Sequence, residues 1–326
     1  MQDFLRHIPV TNTNVSRSIV ETLIKTRQEK LFTGVIYIKY SSDDAWLFTF
    51  LGGIQQKLYH LREQTMEADN SQSWKDMIDH PNTSVSILEF TEEALRSLRV
   101  ACEAPILQME QFSVPRDDLS DHVRKWSEEM TPTILYVSGE RTEKLYLIAG
   151  NSAPVIEELS WTGEKARFSV CDASFPVHFP PADYRVKRYV SDGKHVIWQE
   201  YELRFAFGPL MRIMINRFSE LAGRILAERL CEQISQYTRD DRMNITVSVN
   251  GVANRHYFNS IEDAAHIYLK ILRKFREEAG TAIGVRMADG LARETLFKQD
   301  ERRRKLLQRY IFDQYVLDYG QGMVWR

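Results

Sequence analysis

Residues 31–53 read LFTGVIYIKYSSDDAWLFTFLGG, and this stretch decides the fold of the N-terminal half. Two runs rich in β-branched and aromatic residues, 35–38 and 46–51, flank the polar sequence Ser-Ser-Asp-Asp, a pattern typical of a β-hairpin. Gly52 and Gly53 then favour a tight turn, because glycine adopts positive φ at little cost. Both strands are so apolar that we expect a helix or another element to cover them.

A weaker copy of this stretch, MTPTILYVSGERTEKLYLIAGN, occupies residues 130–151. When Gly52 is aligned with Gly150, the second strands superpose and the first strands agree within one residue. Apolar residues at helical spacing precede both copies, in 15–30 and 119–129. The sequence therefore predicts two related helix-hairpin modules.

The predicted fold class is α/β in the broad sense of α+β: the two related helix-hairpin modules followed by a helix-rich mixed C-terminal domain. The expected divisions are a first module, a second related module, a proline-rich linker and a helix-rich α+β domain, over residues 1–112, 113–171, 172–183 and 184–326. The linker is predicted because its sequence, DASFPVHFPPAD, favours extended backbone with few amide donors. Residues 105–115, bracketed by prolines, are predicted as an irregular connector, and 184–207 as a further hairpin.

Composition narrows the class of protein. The 326 residues favour two or three domains, and 43% hydrophobic with 27% charged residues is typical of a globular chain. A formal net charge of −2 gives no global attraction to nucleic acid or membrane. Cys102, Cys171 and Cys231 are too scattered for a disulfide framework or a zinc site. Without an N-terminal signal pattern or a membrane-length apolar run, we expect a cytoplasmic protein.

The compact signatures of phosphate-binding loops, dinucleotide-binding turns, zinc hydrolases and serine hydrolases do not occur in the sequence. We therefore predict no catalytic, cofactor-binding or metal-binding residues and no enzymatic activity. The nearest approach to a metal set is His256 and His266 with Asp263, for which separate surface roles are the simpler expectation. Cys231, beside Leu230, is predicted to be a buried structural thiol.

The basic run Arg302, Arg303, Arg304 and Lys305 is the sharpest local concentration of charge. One interpretation is a partner contact, with a phosphate group, nucleic acid or an acidic protein face. The other is the solvated side of a helix, with the cations paired to Asp300 and Glu301. The chain's net charge of −2 and the absence of interleaved aromatic residues favour the second, so we disfavour nucleic acid as a partner.

Residues 211–234 carry a nearly heptad apolar strip. Such a strip is typical of a domain core. It can also pair with the same helix of a second chain, which makes a homodimer the alternative prediction.

The first repeat resembles the bacterial domain at the N-terminus of PatA-type response regulators. The residues that fill the family's strand–turn–strand pattern are Thr33, Gly34, Ile36, Ile38, Phe48, Phe50, Gly52 or Gly53, and Ile54. The second copy keeps Thr131, Leu135, Val137, Leu145, Leu147 and Gly150, with Pro132 where the family has glycine. Its later segment is similar to the family's ending through Leu159, Trp161, Gly163 and Phe168. The resemblance covers residues 15–171 at most and implies a signalling or scaffold module without catalysis.

We therefore predict a non-enzymatic cytoplasmic signalling or scaffold protein of bacterial type that acts through protein–protein contacts. A small-ligand sensor or enzyme with a pocket between the modules is the first alternative. Nucleic-acid binding through the basic C-terminal helix is the second.

Overall fold

The computed structural model describes residues 12–13, 15–40, 44–62, 65–68, 83–129, 131–140, 142–148, 156–162, 165–171 and 174–315. The chain divides into two compact units, Met1–Gly193 and Lys194–Arg326, which we call the sheet unit and the helical unit. Within the described ranges, every helix is too short or too polar to cross a lipid bilayer.

The sheet unit is built from twelve described strands of 2 to 10 residues. In chain order these strands are β1 Asn12–Thr13, β2 Gly34–Lys39, β3 Asp44–Leu51, β4 Ile54–Arg62, β5 Thr65–Ala68, β6 Ser84–Glu89, β7 Ile106–Pro115, β8 Thr133–Gly139, β9 Thr142–Ile148, β10 Ile156–Thr162, β11 Lys165–Cys171 and β12 Asp183–Ser191. Its helices are α1 Arg17–Glu29, α2 Glu92–Glu103 and α3 Arg116–Glu128, with a 3₁₀ turn at Phe175–His178.

Among the described residues, these twelve strands form one sheet. The order along it is β5-β4-β3-β2-β6-β11-β10-β9-β8-β12-β7, with β1 also paired to β6. Two antiparallel meanders, β2 to β4 and β8 to β11, account for most of it. Strand β6, which pairs with β2, joins the two meanders by running parallel to β11 at the pair of Glu89 with Lys165.

The prediction of two related helix-hairpin modules was wrong. The division expected between residues 112 and 113 falls inside β7, which is one continuous strand. Strand β12, expected in the C-terminal domain, pairs with β7 on one side and with β8 on the other. Backbone hydrogen bonding therefore crosses both expected divisions, and the two hairpins belong to a single sheet.

Both hairpins themselves form where the sequence predicts them, and a helix covers each. Val20 of α1 packs against the first hairpin, and Leu119 and Val123 of α3 pack against the second. The turn after β3 needs glycine at Gly53, where φ is +82° and an added Cβ would lie 2.4 Å from the carbonyl oxygen of Gln28.

The proline-bearing stretch, expected as a linker over 172–183, lies within the sheet unit, and the division between the units follows Gly193. Phe175 and Phe179 are buried in the core that α3 covers. The ring of Phe175 stacks on Tyr146 with centroids 3.9 Å apart. Two aromatic anchors in one short segment hold it against the sheet, which composition alone does not reveal.

The helical unit packs helices around a small β-hairpin. Its elements are α4 Val196–Ala222, α5 Arg224–Asp240, β13 Ile245–Ser248, β14 Gly251–Asn254, α6 Ile261–Ile283, α7 Val285–Phe297, α8 Glu301–Leu307 and a π-helical turn Gln308–Phe312. Its core includes the stacked rings of Phe207 and Tyr268, whose centroids are 4.1 Å apart. Gly223 and Gly284 separate consecutive helices at positive φ.

The hairpin predicted over 184–207 was also wrong. Strand β12 forms, but the residues after the Ser-Asp-Gly turn begin α4, a helix that contains Pro209. His195 is the N-cap of α4, its Nδ1 accepting from the amide of Ile197 at 3.4 Å. Strand β12 pairs with β7 and β8 and not with the residues that follow it. Those apolar residues therefore form a helix.

Candidate protein interface

The basic run lies on α8, whose N-cap Asp300 accepts a hydrogen bond from the amide of Arg303 at 3.0 Å. Three of its four cations pair with carboxylates of the helical unit. Arg302 binds both carboxylate oxygens of Glu202 on α4, with Nε 3.1 Å from Oε2. Arg303 lies 3.3 Å from Asp300, and Lys305 lies 2.6 Å from Glu301. Because these charges are largely compensated, α8 offers little free positive charge to a phosphate or nucleic acid.

The partner of Arg302 has an unusual protonation equilibrium. Burial raises the pKa of Glu202 to about 7, although the neighbouring Arg302 acts in the opposite direction. Asp300 adds to the rise and Arg303 opposes it. The pair of Glu202 with Arg302 links α8 to α4. Because the pKa of Glu202 lies near neutrality, the strength of this pair depends on pH in that range.

The sequence candidates for metal or thiol chemistry do not assemble into a site. Within the described ranges, no group of three His, Cys, Asp or Glu side chains could hold a metal ion. Asp263 accepts from the amide of Asn259 at 3.1 Å, and His256 accepts from the amide of Asn244 at 3.3 Å. Burial raises the pKa of Cys231 to about 11, so its thiol is protonated and weakly nucleophilic at neutral pH.

The apolar strip over 211–234 is divided between the interior and the surface. Most of its members are buried in the core of the helical unit, namely Met211, Met214, Phe218, Leu230 and Ile234. Leu221 and Ile225 are exposed on either side of Gly223, where α4 ends and α5 begins. The strip is therefore core for most of its length and offers no continuous helical face to a second chain.

Other buried charges have partners that explain them structurally. Glu157 on β10 accepts from the hydroxyl of Ser97 at 2.7 Å and lies 3.5 Å from Arg96, both on α2. Asp289 on α7 accepts from Arg276 at 2.7 Å and from the hydroxyl of Tyr315 at 2.8 Å. These networks join neighbouring elements within one unit, the usual role of a satisfied buried carboxylate.

Strand β7 is the feature that most clearly offers a binding surface. It is ten residues long and ends the sheet order, so among the described strands it has a neighbour on one side only, β12. Such a strand presents a row of backbone N–H and C=O groups that can pair with another strand. We call this free side of Ile106–Pro115 the β7 edge.

The side chains along the β7 edge are apolar and exposed where most sheet edges are charged. Ile106, Leu107 and Met109 are 46%, 69% and 55% exposed. The strand contains no lysine, its one proline within the strand is the last residue, and its one charged residue is Glu110, which lies 3.4 Å from Arg188 of β12. Charged side chains, prolines and short length are the usual devices that prevent edge pairing. A register shift opposite Val190 and Ser191 is the one such irregularity, and it affects only the start of the strand.

The second half of β7 is anchored from one face. Phe112 and Val114 pack with α3, and the ring of Trp126 lies 5.9 Å from that of Phe112. The guanidinium of Arg188 lies 4.9 Å from the centre of the same indole ring. The edge strand is therefore held in place by a packed helix on one face and by β12 along one side.

Sequence analysis missed this strand because the prolines at 105 and 115 suggested an irregular connector. The pattern that could have revealed it is the alternation of Phe112 and Val114 with polar Gln111 and Ser113. A proline at the end of a strand is compatible with an edge position.

Comparisons of this chain with protein-family models, curated proteins and solved structures give no match.

Proposed function

We propose that this protein is a non-catalytic interaction module of the signalling or scaffold kind, which binds an extended protein segment at the β7 edge. The observation that carries the proposal is a ten-residue edge strand with exposed apolar side chains and a single charged residue. In strand addition, the backbone of the edge supplies hydrogen bonds and the alternate side chains supply selectivity.

The surrounding chemistry supports an extended, weakly charged partner. Leu107 and Met109 offer apolar contact, and Gln108, Gln111 and Ser113 offer neutral hydrogen-bonding groups. Contiguous exposed apolar residues are typical of interaction sites in folded proteins. The resemblance to the PatA-type domain agrees with a signalling role and remains part of the proposal.

The test compares three forms of the full chain as affinity baits in lysate of the native cell: the wild type, Met109→Lys and Met287→Lys. Met287 is a matched control because it is 51% exposed and lies on α7 in the helical unit. Lysine at an edge position opposes strand pairing. We expect a partner retained by the wild type and by Met287→Lys to be lost by Met109→Lys.

Hydrogen exchange then locates the contact. Backbone N–H groups of residues 106–114 that point away from β12 should become protected when the partner is added. Partner binding that survives Met109→Lys, in a variant whose circular dichroism and thermal midpoint match the wild type, would refute the β7 edge as the binding site.

A further inference from the structure

We propose that Asn250 is a modification site, which converts spontaneously to isoaspartate and aspartate through a cyclic imide formed with Gly251. Asn250 lies in the turn between β13 and β14, and Gly251 is the first residue of β14. The Asn250 side chain is exposed to solvent. The site belongs to the helical unit, so this inference is independent of the function proposed for the β7 edge.

The reaction needs only atoms that the chain and water supply. The backbone nitrogen of Gly251 bonds to Cγ of Asn250, and the bond from Cγ to the side-chain nitrogen breaks. That nitrogen leaves as ammonia, taking the proton of the Gly251 amide. Water then opens the cyclic imide. Opening at the new bond to Cγ gives aspartate, and opening at the original peptide bond gives isoaspartate, whose main chain runs through Cγ. Nothing is oxidised or reduced.

The geometry of the turn favours this attack. Gly251 has no Cβ to obstruct Cγ of Asn250, and its φ of +136° is a conformation that glycine adopts without strain. Among the described residues, the side-chain amide of Asn250 has no hydrogen-bond partner, so it can turn towards the backbone. Gly251 pairs with Ser248 at the last position of the ladder. Its nitrogen is therefore released when the turn alone opens, a local fluctuation that costs less than unfolding.

Arg212 of α4 places a positive charge beside the reacting peptide. A Cβ added to Gly251 would lie 3.9 Å from Cδ of this exposed arginine. The attacking nitrogen of Gly251 carries negative charge once its proton is removed, and a nearby cation favours such an anionic form. The carboxylate of the product also forms next to Gly251, where the same cation stabilises it.

The other asparagines are less suited to the reaction. Asn250 and Gly251 form the only Asn-Gly pair in the sequence, so every other asparagine precedes a residue with a Cβ. Asn254 is also held by its side chain, with Nδ2 2.6 Å from the hydroxyl of Tyr268 and Oδ1 accepting from the amide of His256 at 3.1 Å. Asn216 lies within α4, where helical hydrogen bonding holds the backbone.

The two products should affect the helical unit differently. Strand β13 is joined to α5 by Ser235, whose hydroxyl donates to the carbonyl of Val247 at 2.8 Å, and by Thr238, whose hydroxyl donates to that of Ile245 at 2.7 Å. Isoaspartate adds a carbon atom to the main chain of the turn and disturbs the pairing that positions these buried residues. Aspartate leaves the main chain unchanged. We therefore expect isoaspartate, and not aspartate, to lower the stability of the helical unit.

Incubation of the folded full chain in mildly alkaline buffer, followed by peptide mass spectrometry, tests the site. We expect fragment ions to place the conversion of amide to carboxyl at Asn250, at a rate about tenfold or more above that at Asn216. Methyl transfer by a protein isoaspartate methyltransferase should label the aged wild type and leave Asn250→Gln unlabelled. Asn250→Asp supplies the aspartate form for the unfolding measurement, and its stability should match that of the fresh wild type.

An Asn250 amide that lasts as long as that of Asn216 refutes the modification site. If Asn250 converts in urea-unfolded chain and stays intact in the folded chain, the hairpin protects the turn and the proposal is wrong. Equal labelling of aged Asn250→Gln and aged wild type would place the isoaspartate at another residue, with the same conclusion.

Discussion

Replacing Glu202 by glutamine should remove part of the pH dependence of the stability of the helical unit. Burial raises the pKa of this carboxyl from 4.5 to about 7 in the folded protein, even though Arg302 binds it. A raised pKa means that the folded state holds the proton more tightly than the unfolded state. The stabilisation is therefore complete below about pH 4.5 and is lost as the pH rises through about 7.

The size of the effect follows from the difference in pKa. One pKa unit corresponds to about 1.4 kcal/mol, so the free energy of unfolding should fall by about 3 kcal/mol as this carboxyl ionises. Glutamine resembles the protonated carboxyl in shape and charge. We expect Glu202→Gln to match the wild type near about pH 5 and to exceed its stability by about 2–3 kcal/mol near about pH 8.

Urea unfolding followed by far-ultraviolet circular dichroism, at several pH values between these limits, measures the difference. Glu228→Gln is the control, because Glu228 is half-exposed in a pair with Arg224 one turn away on α5, and such pairs contribute about 0.5 kcal/mol or less. If Glu202→Gln is less stable than the wild type near about pH 8, attraction to Arg302 outweighs the burial of Glu202 and the reasoning fails.

Three further substitutions test the sheet unit, each by the same unfolding measurement. Glu157→Ala should destabilise it by about 3–5 kcal/mol, because Arg96 would keep a buried charge without its carboxylate; a loss below about 1 kcal/mol would contradict the structural role of the pair. Gly53→Ala should lower stability by about 1–3 kcal/mol, because φ is +82° and the new Cβ would meet the carbonyl of Gln28; unchanged stability would argue against this turn. Thr91→Ala should lose about 1 kcal/mol with the N-cap bond to Ala94, and Thr91→Ser should restore most of it.

Local chemistry predicted the two hairpins of the sheet unit, although it missed β7. The β-branched and aromatic runs became strands, and Thr91 caps α2 with its hydroxyl 3.2 Å from the amide of Ala94. In the helical unit, Ser260 caps α6 in the same way. These features are set by neighbouring residues, so a single sequence carries them.

The arrangement of the elements could not be predicted in the same way. Strand β12 pairs with β7 and β8, each separated from it by a long stretch of chain. The local sequence of residues 184–207 does not indicate that its first strand pairs with β7 and β8. A local hairpin was therefore the simplest interpretation. The candidate interface depends on this pairing. Strand β7 joins the sheet through β12, so the side of β7 that faces away from β12 is the edge of the sheet.

The merging of the two hairpins into one sheet explains why the β7 edge stands out. A separate module would have left an edge strand at each of its ends. Instead, the pairing of Glu89 in β6 with Lys165 in β11 joins the two meanders, so β6 and β11 lie inside the sheet. Among the described strands, the sheet then ends at β5, four residues long, and at β7, ten residues long. A short edge strand is itself a defence against pairing, whereas β7 is long and carries a single charged residue, so it lacks both defences. The proposed partner contact gives the exposed Leu107 and Met109 a role, because a lysine at either position would protect the edge from pairing.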